Sequence, residues 1–146
     1  MPKQPPEIIV FIDRCLGRYD VRHQLESAGV KVRLHDDHFG KDIDDETWIR
    51  EVSESDWVIL TKDKAIRRNP LEKQTLLECN AAAFILTAKG LDGEQQAQAF
   101  LAALPRIQRS VLTFSRPLLA TVSASGKITI LSGQRKGGVK KKTRTD

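Results

Sequence analysis

A chain of 146 residues, 40% hydrophobic and 29% charged, has room for one domain of ordinary size built on a single core. Its longest apolar runs are five or six residues, which excludes a membrane-spanning helix and any membrane role that needs one. The formal charge of +5 is unevenly placed: residues 135–144 carry six positive charges and no negative one, so the body without them is close to neutral. Residues 133–146 therefore read as a basic, disordered tail able to add non-specific, salt-dependent affinity for phosphates. Residues 1–7 read as a short extension with no apolar stretch resembling a signal peptide, and residues 8–132 as the single domain. Two cysteines, Cys15 and Cys79, in an otherwise ordinary core suggest buried thiols, and the cytoplasm is the expected location.

The elements follow in order. Residues 8–12 form a short β-branched run and read as a buried strand ending on Asp13. Residues 16–28 place Leu16, Val21, Leu25 and Ala28 at helical spacing, with Gly29 as the stop. Residues 30–34 alternate as a second strand, and the polar stretch 35–43 reads as a loop. Asp44 or Asp45 can cap a helix carrying Trp48, Ile49 and Val52, with the acids at its favourable end. Residues 57–61 are a third strand, running through Lys62 into Asp63.

Asn69-Pro70 marks a turn, and Pro70 suits the first position of a helix carrying Leu71, Leu76 and Leu77. A fourth strand spans 81–86. After the turn Leu91-Asp92-Gly93, residues 94–104 line Ala97, Phe100, Leu101 and Leu104 along one helical face. Residues 118–122 and 127–131 flank Ser125-Gly126 as a hairpin. Alternating strand and helix predict a three-layer α/β/α sandwich on a mainly parallel sheet with right-handed crossovers, closed by a C-terminal β-hairpin.

In an open parallel sheet, ligand chemistry gathers at the carboxyl ends of the strands. Asp13 and Asp63, each just past a strand, can meet there, and Asp45 can join from the start of its helix. Converging acids repel unless protons or divalent cations neutralise them, and oxygen-only ligands suit Mg²⁺ or Mn²⁺. An ion so held can activate water against a phosphodiester.

The segments Phe11-Ile12-Asp13-Arg14-Cys15-Leu16, Asp45-Glu46-Thr47-Trp48-Ile49 and Val58-Ile59-Leu60-Thr61-Lys62-Asp63-Lys64 resemble, in order and spacing, the PIN-like nucleases and among them the virulence-associated-protein-C-type branch. The resemblance implies an endoribonuclease using Mg²⁺ or Mn²⁺, the toxin of a toxin–antitoxin pair, dimeric and held inactive by a cognate antitoxin. It implies Asp13, Asp45 and Asp63 as metal ligands, with Glu46 competing for the place of Asp45. One departure stands out: where many such domains add a fourth acid after the next strand, this chain has Thr87-Ala88-Lys89 and no carboxylate before Asp92. Either three acids hold one ion, or Asp92 reaches in from its turn.

Around these acids, Arg67 is the expected cationic catalytic residue, with Arg14, Lys62, Lys64 and Arg68 holding substrate phosphates. His35-Asp36-Asp37-His38 has ligand-type residues but no distant partner, so it reads as a polar loop at the same edge. Trp48 and Trp57 read as core. Two other function classes share the pattern: an inactive PIN-like module that binds RNA or protein, and a receiver-like signalling domain. The receiver needs a second acid directly after the first strand, where this chain has Arg14-Cys15.

Overall fold

A computed structural model describes residues 7–40, 42–62 and 70–136. β1 (Ile9–Ile12), α1 (Asp20–Ser27), β2 (Lys31–Leu34), the single turn α2 (His35–His38), α3 (Asp45–Glu54), β3 (Val58–Lys62), α4 (Pro70–Glu78), β4 (Ala82–Leu86), α5 (Gly93–Thr113), β5 (Phe114–Val122) and β6 (Ile128–Arg135) follow one another. The six strands form one sheet in the order β2-β1-β3-β4-β5-β6, parallel throughout except for the antiparallel β5–β6 hairpin. The three-layer sandwich predicted by the alternation is the one observed. No helix among the described residues is long and apolar enough to cross a membrane.

The period-two geometry of the strands divides their side chains between two cores. Val10, Ile12, Val58, Leu60, Phe84 and Leu118 face one way and pack with α1 and α5. Phe11, Ile59, Ala83, Ile85 and Leu119 face the other way and pack with Trp48, Ile49 and Val52 of α3 and Leu76 of α4. Both sheet faces are thus buried, which is why these strands are runs of apolar residues and not alternations.

The same division corrects the expectation of uniform handedness. The steps β2 to β3 and β3 to β4 move one way across the sheet over the α3–α4 face, and β1 to β2 moves the opposite way over the other face. The step β4 to β5 also moves in the first direction but passes through α5, on the α1 face, so its hand is opposite to the other three. Eight-residue α1 is too short to cover that face alone, and 21-residue α5 buries the remainder.

Three further boundaries differ from the sequence reading. Gly17, at φ +81°, separates a single 3-10 turn over Arg14–Leu16 from α1, dividing what reads as one helix. α5 continues nine residues past Leu104 and through Pro105. Ile107 and Ser110 extend the buried stripe of Phe100 and Ala103, and that burial offsets the ~3 kcal/mol cost of an interior proline. β5 begins at Phe114 because its first residues pair with β6, with Phe114 opposite Arg135.

Gly126 in the hairpin turn sits at φ +87°, where a Cβ would lie 2.7–2.8 Å from atoms of Ala102 and Ala103 on α5. Gly126→Ala should therefore lower stability by about 2–4 kcal/mol, combining left-handed strain with overpacking against a helix backbone. Urea unfolding measures this directly.

Candidate active site

The strand order changes direction between β1 and β3, the two strands that start from neighbouring positions and whose onward connections leave in opposite directions. Such a switch point opens a crevice at the carboxyl ends of both strands. Asp13 stands there: its backbone N–H still donates to Leu60 O of β3 at 3.0 Å, while its side chain has left the sheet. Thr61 Oγ1, itself 1% exposed, donates to Asp13 Oδ2 at 2.8 Å. Burial pushes the Asp13 carboxyl above its ordinary range, against the opposing pull of the Thr61 hydroxyl, and the nearby Asp45 adds to the rise.

α3 delivers the second acid. Asp44 is its cap, accepting the Thr47 N–H at 2.7 Å, and the Thr47 side chain, then that N–H, hold the exposed Asp44 carboxyl below the usual range. With capping done by Asp44, Asp45 is available for other contacts. Trp48 Nε1 donates to Asp45 Oδ1 at 2.9 Å, so the buried indole fixes the carboxylate from below. Glu46 points elsewhere and pairs with Arg50 one turn along the exposed face. Of the two, Asp45 is the one on the Trp48 side of the helix.

A third acid was not anticipated. Glu72, in the first turn of α4, is 6% exposed and shares a hydrogen bond with Asp45. Burial first, and then the charges of Asp45 and Asp13, push its carboxyl up to about 8. The sequence signal was slight, because an acid in the first turn of a helix is ordinary. Its apolar neighbour Leu71 is 70% exposed while the glutamate is buried, an inversion that only the tertiary structure reveals.

Asp92, the alternative fourth acid, caps the start of α5. Its side chain accepts the Gln95 N–H at 2.8 Å, and the Gln95 side chain accepts the Asp92 N–H at 2.9 Å, completing a capping box. Asp92→Ala should cost about 1 kcal/mol of stability while leaving catalysis unchanged, which thermal denaturation beside an activity assay checks.

Of the expected cationic residues, Lys62 ends β3 half-buried, close enough to act on the Cys15 thiol. Arg14 reaches Asp36 Oδ1 at 3.0 Å, and Arg18 reaches Asp36 and Asp37 at 3.3 and 3.5 Å. These pairs tie the turn after β1 to the turn after β2; half-exposed pairs of this kind contribute about 0–1 kcal/mol each. Asp63, Lys64, Arg67 and Arg68 lie outside the described residues. Among the described residues, no three acids, histidines or cysteines are already drawn together as a coordination cluster.

The His35–His38 segment is helical, not the expected loop, and its carboxylates serve those arginines. His35 is buried in an aromatic cluster, with centroids 6.0 Å from Phe11, 5.6 Å from Phe39 and 5.5 Å from Trp48. Trp48 and half-buried Trp57 both stack on Phe11, at 5.3 and 6.1 Å, so both tryptophans belong to packing, as their positions predict. Both cysteines are free thiols, as expected, but neither is buried: Cys15 is exposed and Cys79 half-buried. Although the residue is exposed, the Cys15 thiol lies 3.4 Å from Thr61 Oγ1 and 3.7 Å from Asp13 Oδ2. Desolvation and the Asp13 charge push it up to about 11, which leaves it a neutral thiol and not a nucleophile at neutral pH.

A parallel sheet with acids from β1, α3 and α4 at its switch point, Asp13 and Glu72 buried and Asp45 exposed, is the frame on which the sequence comparisons bear. Residues 8–88, more than half of the chain, match the family described as PIN like domain, and the chain belongs to that family. It is 32% identical over 126 residues to the Mycobacterium tuberculosis protein named "Putative ribonuclease VapC45", covering 84% of this chain and 91% of that one. No solved structure matches the chain significantly. Family membership sets aside the receiver-like alternative.

Proposed function

We propose that the chain is a metal-dependent endoribonuclease that hydrolyses RNA phosphodiester bonds in the cytoplasm, as the toxin of a toxin–antitoxin pair restrained by a cognate antitoxin protein. The observation that carries this reading is the electrostatic coupling of Asp13, Asp45 and Glu72 beside the β1–β3 switch point, where burial and then the charges of Asp45 and Asp13 push Glu72 up to about 8. Acids so placed destabilise one another until protons or cations intervene. The ribonuclease name borne by the mycobacterial relative supports the substrate class.

The donor set fits a hard divalent ion. It is oxygen-only: Thr61 and the Cys15 thiol donate to Asp13 Oδ2 and Trp48 donates to Asp45 Oδ1, which orients both carboxylates. Asp13 and Asp45, with Asp63 from beyond Lys62, would hold Mg²⁺ or Mn²⁺, and Glu72 would stand beside them as the fourth acid. Such an ion supplies an activated water and neutralises charge developing at phosphorus. Thr61 and Trp48 orient the acids before substrate arrives. Glu72, carrying a proton at neutral pH in the ion-free protein, is able to receive or release one beside the scissile group. Lys62, Arg14 and the proposed Lys64, Arg67 and Arg68 would hold backbone phosphates at the rim.

Incubation of labelled RNA with purified protein and Mn²⁺ or Mg²⁺, beside an EDTA control, tests the reading. Discrete internal cleavage products that vanish with EDTA are expected. Intact RNA under every metal, or cleavage indifferent to EDTA, would overturn it, and the first outcome would favour the inactive binding module.

A further inference from the structure

At the opposite, amino-terminal edge of the sheet lies a cavity of about 580 Å³, in the size range of small-molecule sites. Its origin is a mismatch in strand length. β5 pairs with β4 only from Leu118 onward, so Phe114, Ser115 and Arg116 overhang the parallel sheet and are supported by β6. The facing wall comes from the turns that lead into β3 and β4, where Asp56 and Asn80 adopt left-handed φ values of 62° and 63°. Between them the floor is apolar, made by the starts of β1 and β3 and by Leu118.

Arg116 crosses this notch. Its Nη2 donates to the Asp56 carbonyl at 2.8 Å, whereas Nη1 is shielded from solvent and makes no hydrogen bond. A shielded donor without an acceptor is costly, more so on a cation. Burial accordingly weakens the hold of the guanidinium on its proton. A single hydrogen bond, to the Asp56 carbonyl, holds the guanidinium beside the cavity that Arg116 lines. Lys136 lines the same space as a second cation. Two carboxylates are also present: Glu7, which pairs with Lys31 at 3.4 Å, and Asp56. Two cations against two acids favour a singly charged anion over a dianion, and a guanidinium fork matches a carboxylate in plane.

The geometry points to this cavity as a binding site for a monocarboxylate with an apolar body, engaged by Arg116 and seated on the apolar floor. The free carboxyl end of a peptide and a small organic acid share this chemistry. The site lies across the full length of the strands from Asp13, so it is independent of the nuclease reading.

Calorimetric titration of the full chain with N-acetyl-leucine, octanoate, N-acetyl-leucinamide and inorganic phosphate tests the assignment. Saturable binding of either carboxylate at least tenfold tighter than the amide and phosphate is expected. Preference for N-acetyl-leucine assigns a peptide end, and preference for octanoate a small organic acid. Arg116→Gln, checked for folding by circular dichroism, should weaken the carboxylate at least tenfold, and Asp13→Asn should not change it. The proposal is overturned if no carboxylate binds, if the amide or phosphate binds as tightly, or if folded Arg116→Gln binds as well as the native chain. Should that variant fail to fold, the carboxylate-against-amide comparison on the native protein decides alone.

Discussion

Asp13→Asn is expected to lower RNA cleavage about 10³-fold or more while leaving the protein folded and no less stable. The two halves of that expectation have different physical origins. A carboxylate that holds a catalytic cation supports several kcal/mol of transition-state stabilisation, and each 1.36 kcal/mol is a factor of ten in rate. Folding, by contrast, gains nothing from the charge: burial raises the Asp13 carboxyl above its ordinary range, so the ionised group opposes the folded state. Asparagine keeps the shape and an oxygen that can accept the Thr61 hydroxyl, which donates to Asp13 Oδ2 at 2.8 Å. Cleavage assays beside thermal melts separate the effects. Lost activity with lost folding would instead make Asp13 a structural residue, and retained activity would remove it from the site.

Glu72→Gln should abolish a pH dependence of stability that the ion-free native protein displays. An unfolded glutamate titrates near 4.5, and the folded Glu72 near 8. Between those values the folded chain holds a proton that the unfolded chain has released. Stability therefore falls as pH rises from about 4.5 to 8 and levels off above. In EDTA, the melting temperature of the native protein should drop by up to about 10 °C between pH 5.5 and 8.5 from this residue, given ~1.4 kcal/mol per pH unit over the titrating range and ~3 °C per kcal/mol for a chain of this size. Glutamine should remove most of that slope and raise the melting temperature at pH 8.5. Mn²⁺ should also flatten the slope in the native protein, because the ion replaces the proton as the neutralising charge. An equal slope in the variant would show that Glu72 does not carry the repulsion.

Much of this architecture is legible in the sequence because local and tertiary signals agree. The runs at Ile8 and Val58 are too short and too β-branched for helices, and they end on the positions where the switch point needs polar side chains. Asp13 and Asp45 are placed correctly at the carboxyl edge for the same reason: strand ends and helix starts are read from local pattern. What escaped depends on packing across distance. Pro105 reads as a stop, yet the helix continues because Ile107 and Ser110 extend a buried stripe. Asp92 reads as a candidate ligand until its capping box with Gln95 is seen. Glu72 carries no local signal, since its burial arises only where α4 packs beside Asp45. The hand of the β4–β5 connection is likewise a matter of which sheet face remained uncovered.

The central claim is that acids from β1, α3 and α4 form one divalent-cation site, and calorimetric titration of the native chain with Mn²⁺ tests it most directly. One ion per chain is predicted, with affinity falling at least tenfold in Asp13→Asn and in Asp45→Asn, while Asp92→Ala binds as the native protein does. Absence of Mn²⁺ binding, or equal affinity in all four proteins, would contradict the account.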